Sequence, residues 1–194
     1  MEKLNNIHIL KTISIVFLSL LALFLVIAIF ITIDGYKKRN YKLDIKYING
    51  NTVELSNKLP ISDEIGKSYK GTGVEKGIVE YKEFILSNKN EGKINYEIYL
   101  TKTHNKNKDI RSNYIKLYLT DDANNPLKNF DKKQMISYYD LFALNDKPGS
   151  KLLYNGTLSS GESKTFILRS WVSDTYIISS ESERFGFDIE ARLK

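Results

Sequence analysis

The chain has 194 residues, with 29 Lys+Arg against 23 Asp+Glu, a net charge of +6 and no cysteine. The missing cysteine excludes disulfide stapling, a lipid-attachment cysteine and thiol chemistry. After Arg39 charges of both signs are interspersed, and no block of like charges suggests a nucleic-acid groove.

Residues 1–12 form a short N-terminal tail carrying Lys3 and Lys11. The next stretch, Ile13–Ile33, has no charge, and only Ser14, Ser19 and Thr32 interrupt it. As a helix it reaches ~30 Å, the thickness of a bilayer's hydrocarbon core. Lipid offers backbone groups no hydrogen-bond partner, so such a segment crosses as a helix that satisfies its own. The expected partner of Ile13–Ile33 is therefore the lipid bilayer. The run is longer than the ~7–15 residues of a signal-peptide core, and its one small-residue site, Val26-Ile27-Ala28, lies inside it, so retention as a single-pass anchor is expected. Of the +6 charge, +3 falls at or before Arg39. Lys37, Lys38, Arg39, Lys42 and Lys46 outweigh Lys3 and Lys11, which by the positive-inside rule alone leaves the C-terminal part in the cytoplasm; that rule weakens for long translocated domains.

About 155 residues follow Arg39, enough for one domain with its own core. Residues 34–77 are expected to be a juxtamembrane segment. Asp34-Gly35-Tyr36 reads as the end of the helix, and Leu43, Ile45 and Tyr47 alternate with Lys42, Asp44 and Lys46 as a first strand. Asn49-Gly50 predicts a hairpin with an antiparallel return over Thr52 to Leu55, and Asn57 to Gly77 reads as a long loop.

Residues 78–194 then read as a β-sandwich domain. Ile78 to Ser87 is strand-like but out of strict alternation, which predicts a bulge or burial on both faces. Ile94, Tyr96, Ile98 and Leu100 alternate cleanly, as do Ile115, Leu117 and Leu119. Thr103 to Asn113 and Asp121 to Pro126 read as loops, and Phe130 to Leu144 as a short helix or strand. Leu152–Tyr154 and Thr157–Leu158 suggest a short strand interrupted by a turn at Asn155-Gly156, whose Asn155-Gly156-Thr157 is a formal glycosylation sequon. Lys164 to Val172 and Phe185 to Leu193 complete the set. Seven or so short strands with period-two faces predict a mainly β fold, an antiparallel Ig-like or jelly-roll-type β-sandwich behind a single N-terminal transmembrane helix.

The order FILSNKNEG, INYEIYL, YIKLYLTD, LLYNGTLSSGESKTFILRSWVSD and FGFDIEARLK, with its L-x-x-G-E-x-x-x-F-x-L-x-x-W run at Leu158 to Trp171, resembles bacterial β-sandwich surface proteins typified by camelysin and the TasA biofilm-fibre subunit. The likeness covers residues 78–194. It implies export, a role in matrix fibres or at the cell surface, and for some members a metallopeptidase assignment. It also argues for an extracytoplasmic domain. The chain departs from that group in keeping its N-terminal segment and in lacking a processing site.

The residues themselves supply no catalytic constellation. A zinc peptidase needs converging ligands, usually two histidines on one helix face, whereas His8 precedes the apolar run and His104 follows it in a polar loop. Asp121, Asp122 and Asn124 suit Ca²⁺ in type but read as a solvated turn. Glu80 with Glu83, and Glu181 with Glu183, are the available carboxylate pairs, and a serine triad would rest on His104 without a nucleophile elbow. No catalytic, cofactor or metal residue is therefore assigned, and no enzyme activity is expected. Contact is the alternative. Tyr99, Tyr114, Tyr118, Tyr138 and Tyr139 are candidates for outward rings. Tyr41 to Leu55 is either a first strand of the sandwich or a strand donated to a neighbour's open edge. The expected function is that of a membrane-anchored bacterial surface protein with a structural, adhesive or protein-interaction role, its partner another protein or a second copy met through sheet edges, with no nucleic acid. A camelysin-like metallopeptidase and a cytoplasm-facing accessory subunit are the alternatives.

Overall fold

The structure, a computed structural model, describes residues 2–39, 41–72, 77–103, 109–131, 135–178 and 183–194. It divides into two units, Met1–Tyr41 and Lys42–Lys194.

The first unit is one helix, α1 (Glu2–Arg39). Within it Ile13–Tyr36 is long and apolar enough to cross a membrane, and its side chains are exposed on every face. Two of its polar interruptions are satisfied internally: Ser19 donates to Val16 O at 2.8 Å and Thr32 to Ala28 O at 2.7 Å. Such back-bonding lets a hydroxyl sit in an apolar helix without an orphaned donor. The helix does not end at Asp34-Gly35-Tyr36 as expected but continues to Arg39. One internal glycine costs a helix about 1 kcal/mol, too little to stop one already nucleated over so long a run.

The second unit is two antiparallel five-stranded sheets. Its strands are β1 (Leu43–Tyr47), β2 (Thr52–Ser56), β3 (Glu80–Asn88), β4 (Ile94–Lys102), β5 (Ile115–Thr120), β6 (Ile136–Ser137), β7 (Phe142–Ala143), β8 (Ser150–Leu158), β9 (Ser163–Val172) and β10 (Arg184–Leu193). The first sheet runs β1-β3-β9-β5-β6 and the second β2-β10-β4-β8-β7. The pairs β2/β10, β3/β9, β4/β8 and β5/β6 are nested within one another along the chain. One long hairpin folded over on itself gives this order, so of the two expected connectivities the jelly roll is the one observed. Inward residues of both sheets fill the core. Phe84, Leu86, Ile98, Leu100, Phe166, Leu168, Phe187 and Ile189 are among the fully buried ones, and each such side chain is worth roughly 1.5–3 kcal/mol of burial. Phe84 stacks on Phe166 at 5.4 Å.

Three expectations need correction. Asn49-Gly50 is not a hairpin, because β1 pairs with β3 while β2 pairs with β10 in the other sheet. Asn49 is drawn to β3, donating to Tyr81 O at 2.7 Å and accepting from Glu83 N at 3.0 Å, while Asn51 O accepts from Ile189 N of β10. The link thus crosses between the sheets. Asn155-Gly156 is not a turn either. Both residues lie inside continuous β8, where Gly156 faces Tyr96 across the pair and a Cβ there would meet the Tyr96 hydroxyl at 2.6 Å. The glycine is there for space, not for bending.

The third correction concerns the segment read as a loop from Asn57. It contains α2 (Asp63–Ser68) and closes over the outer face of the first sheet. Gly66 lies so close to Trp171 of β9 that a Cβ would stand 2.3 Å from the indole, and Tyr69, Val79, Met135 and Trp171 form a second buried cluster with Ile61, Tyr81 and Tyr118 packed on it. Tyr81, Arg169 and Tyr118 are cross-strand neighbours on this face. The Arg169 guanidinium lies between the two rings, 5.4 and 5.9 Å from their centroids. It donates to Thr120 Oγ1 at 3.1 Å and to Tyr69 O and Asn124 Oδ1. Arg169 is buried, and its burial pulls its pKa down from the usual arginine value; ring faces and neutral acceptors replace the water it has lost. The outward positions Tyr81 of β3 and Arg169 and Trp171 of β9 are covered by this segment, and Tyr81 is one reason the sequence of β3 departs from alternation.

The outer face of the second sheet is closed by charge. Arg192 donates to Glu97 Oε2 at 3.1 and 2.9 Å and to the Asp146 carboxylate at 2.6 and 3.0 Å, and Lys194 pairs with Glu97 at 3.3 Å. Lys147 pairs with Glu190 and donates to the Tyr99 hydroxyl at 2.8 Å. Tyr99 is covered by both cations, Lys147 at 4.2 Å and Arg192 at 5.6 Å from its centroid.

Candidate functional site

Between the covered faces, the side of the sandwich carrying β6 and β7 stays open. Both strands are two residues long. β6 meets β5 only at Lys116↔Ser137 and Leu117↔Ile136, and β7 meets β8 only at Phe142↔Leu152 and Ala143↔Lys151. Asp140 ends β6 early. Its Oδ2 accepts from Ser137 N at 2.9 Å and Ser137 Oγ at 2.6 Å, winding Tyr138–Asp140 into a 3₁₀ turn that carries the chain to the second sheet. The Ser137 side-chain bond, followed by its backbone bond and the cations Lys116 and Lys151, holds the Asp140 carboxyl below the usual aspartate value despite partial burial. Tyr138 turns inward against Phe185 at 4.9 Å and Phe187 at 5.6 Å, and burial pushes its phenol up to about 12. Tyr139 and Phe142 instead point outward, 67% and 80% exposed.

β8 is the strand left bare by the shortness of β7. It pairs with β4 from Ser150 to Leu158, with a register shift opposite Ile98/Tyr99. Beyond that shift the pairs are Tyr154↔Ile98, Asn155↔Glu97, Gly156↔Tyr96 and Thr157↔Asn95. Lys194 N donates to Asn95 O, so Asn95 addresses β10 rather than β8. Because successive residues of a strand present their backbone groups to alternate sides, Asn155 and Thr157 then turn their N–H and C=O groups outward, where no strand pairs with them among the described residues. A cavity of about 530 Å³ lies along this edge, lined among others by Lys128, Asn129, Ile136, Phe142, Leu153 and Tyr154. Open backbone donors and acceptors beside a groove with both apolar and polar walls suit an added extended strand.

The residues singled out in the sequence are dispersed. His8 lies in α1, and His104 and Glu181 lie outside the described residues. Asp121 accepts from Asn125 N at 2.8 Å, and Asn124 Oδ1 accepts from Arg169, so this turn serves the Arg169 cluster. Glu80 and Glu83, three apart on β3, lie on opposite faces; Glu80 pairs with Lys58 at 2.9 Å. Glu183 accepts from the Tyr176 hydroxyl. Among the described residues, no three His, Asp or Glu side chains converge as metal ligands. Of the five tyrosines, Tyr99 and Tyr138 are buried, Tyr114 and Tyr118 are half-buried, and Tyr139 is exposed. Tyr41 to Leu55 supplies β1 and β2, each an edge strand of its own sandwich. Comparison with family models, curated proteins and solved structures gave no match.

Sequence reading missed the bare β8 edge because it depends on where another strand stops. The one signal present was Asp140 three residues after Ser137, a capping pair that ends a strand before it can extend.

Proposed function

We propose that this chain is a membrane-anchored bacterial surface protein that acts by contact, its jelly-roll domain taking an extended protein segment along β8. The observation that carries the reading is the pair of unpartnered backbone positions, Asn155 and Thr157, beside a groove flanked by the exposed ring of Phe142. The apolar, exposed Ile13–Tyr36 supports the anchor, and a tethered domain meets partners at a raised local concentration. The sequence resemblance to camelysin and TasA-like proteins supports an extracytoplasmic, structural or adhesive setting. Protease added to intact cells is then expected to degrade the domain, and resistance until the membrane is breached reverses the orientation.

The contact itself is tested by placing a photo-crosslinking phenylalanine analogue at Asn155 of the full chain in its native membrane. A discrete protein adduct is expected, and Thr157→Pro should remove it, because proline at an outward-facing edge position blocks strand addition without breaking the β4 ladder. Absence of a protein adduct, or an adduct indifferent to Thr157→Pro, overturns the reading. So does a metal-dependent caseinolytic activity of the chain that is lost on replacing His104.

A further inference from the structure

On the other flank of the Tyr138–Ala143 segment is a second cavity, of about 340 Å³, separate from the β8 groove. Lys102, Ser112, Tyr138, Ser150, Lys151 and Phe185 line it. The β4/β8 register places Thr101 opposite Ser150 and Leu100 opposite Lys151. Lys102 and Lys151 are thus diagonal neighbours on the inward face at the mouth of the sandwich, where two apolar side chains would have extended the core. Their ammonium groups rest on an aromatic floor instead. Lys102 Nζ is 5.1 Å from the Phe185 centroid, Lys151 Nζ is 5.5 Å from that of Tyr138, and the two rings meet edge to face.

We propose that this mouth binds a small monocarboxylate carrying an aromatic or aliphatic body, the carboxylate on Lys151 and Lys102 and the body against the apolar part of the cavity wall beside them. The inference stands apart from the strand-addition reading and survives its failure. Local charge selects the ligand class. Lys102 is committed to Asp109 at 2.8 Å, and the half-buried Asp109 carboxylate has no other partner among the described residues. Lys151 donates to the Tyr139 carbonyl at 2.8 Å but forms no ion pair with any described carboxylate. The acid that acts on it, Asp140, is bound to Ser137 and lines the neighbouring cavity. At this cavity Lys102 is matched by Asp109, which leaves Lys151 as the lining cation without an ion pair among the described residues; one carboxylate suits it and a phosphate dianion would overshoot. Burial already pulls the Lys151 pKa down, Asp140 offsetting it in part, so an arriving anion replaces solvation that the ammonium lacks. The cavity wall is more apolar than polar, and a bare ion such as acetate would leave that area uncovered.

A small-molecule acid and the C-terminus of a peptide share this chemistry, and the test separates them. The full chain in lipid nanodiscs is titrated with 4-fluorobenzoate and with its neutral isostere 4-fluorobenzamide, read by fluorine NMR against empty nanodiscs. The acid should bind at least about tenfold more tightly than the amide. Lys151→Gln should remove that advantage and Lys151→Arg should keep it, with thermal melting confirming that both variants fold. An acetyl-Ala-Phe peptide with a free C-terminus that displaces 4-fluorobenzoate, while its amidated form does not, identifies a chain terminus as the ligand; failure of both peptides identifies a free small acid. Equal binding of acid and amide overturns the proposal, as does a folded Lys151→Gln variant that binds 4-fluorobenzoate like the parent chain.

Discussion

Replacing Gly66 by alanine sets two physical effects against each other. Gly66 is inside α2, and by helix propensity alone Gly→Ala stabilises by about 1 kcal/mol. The structure predicts the opposite sign. The new Cβ would stand 2.3, 2.4 and 2.7 Å from three indole carbons of Trp171, whereas carbon atoms rest about 3.5–4.0 Å apart. Relief needs α2 to lift by roughly 1 Å or more, and a gap of that size forfeits about a quarter to a half of each contact it opens. Trp171 is fully buried between β9 and α2 on a sheet face, so it has little room to retreat. Overpacking of this kind costs about 1–3 kcal/mol, and after the propensity gain of about 1 kcal/mol the net expectation is a destabilisation of up to about 2 kcal/mol. Trp171 is the only tryptophan in the chain, so its fluorescence reports on the cover alone. Gly66→Ala should shift the emission to longer wavelength and make it quenchable by acrylamide, while far-ultraviolet circular dichroism keeps the sheet signature. A variant with unchanged emission and a raised melting temperature would refute the reasoning, since propensity would then have won.

Two further outcomes follow from the same kind of contact. Asp140 is held below its ordinary value of 3.8 chiefly by the Ser137 side-chain hydrogen bond; a depressed carboxylate contributes stability that is present above 3.8 and lost as pH falls through the lower folded value. Ser137→Ala should therefore raise the Asp140 pKa in a carbon-detected NMR titration and move acid unfolding to higher pH, and an unmoved Asp140 titration refutes that assignment. The Tyr96 hydroxyl is buried without a hydrogen-bond partner among the described residues, and burial pushes its phenol far up. Tyr96→Phe should accordingly be neutral or stabilising by up to about 1 kcal/mol in thermal melts, whereas a loss of more than that would reveal a partner for the hydroxyl.

The parts of the fold legible in the sequence were those set by local periodicity. The alternation of Ile94 to Leu100 and of Phe185 to Leu193 placed β4 and β10 with their inward faces, and the uncharged run placed the apolar helix. What was not legible depends on contacts distant in sequence. Asn49-Gly50 has hairpin chemistry, yet its direction was decided by bonds from Asn49 to Tyr81 and Glu83. Gly156 has turn chemistry, yet Tyr96 across the sheet determined its use. The segment after Asn57 has no strong period because it covers a sheet face through a handful of residues, chiefly Gly66 and Tyr69. Arg169 reads as a surface residue until Tyr81 and Tyr118 are known to flank it. The two lysines at the sandwich mouth are likewise ordinary in sequence, and only the register of β4 against β8 brings them together.

These same contacts confine where a partner can bind. A two-sheet sandwich offers two faces and its open sides, and here both faces carry covers made by the chain itself. On the first sheet, dislodging α2 would expose Trp171 and strip the Arg169 guanidinium of an acceptor, leaving a buried cation undercompensated at a cost of several kcal/mol. On the second, a partner would have to replace two hydrogen bonds from Arg192 to each of two carboxylates. Individual surface pairs are worth little, about 0–1 kcal/mol, but a shared arginine makes their loss simultaneous. Along β8 nothing has to be displaced. A strand added there would let Asn155 and Thr157 exchange water for a partner's backbone and would cover the exposed Phe142 ring in the same step. Binding is least opposed where β6 and β7 stop short, and Asp140, by turning the chain after Ser137, is what stops β6.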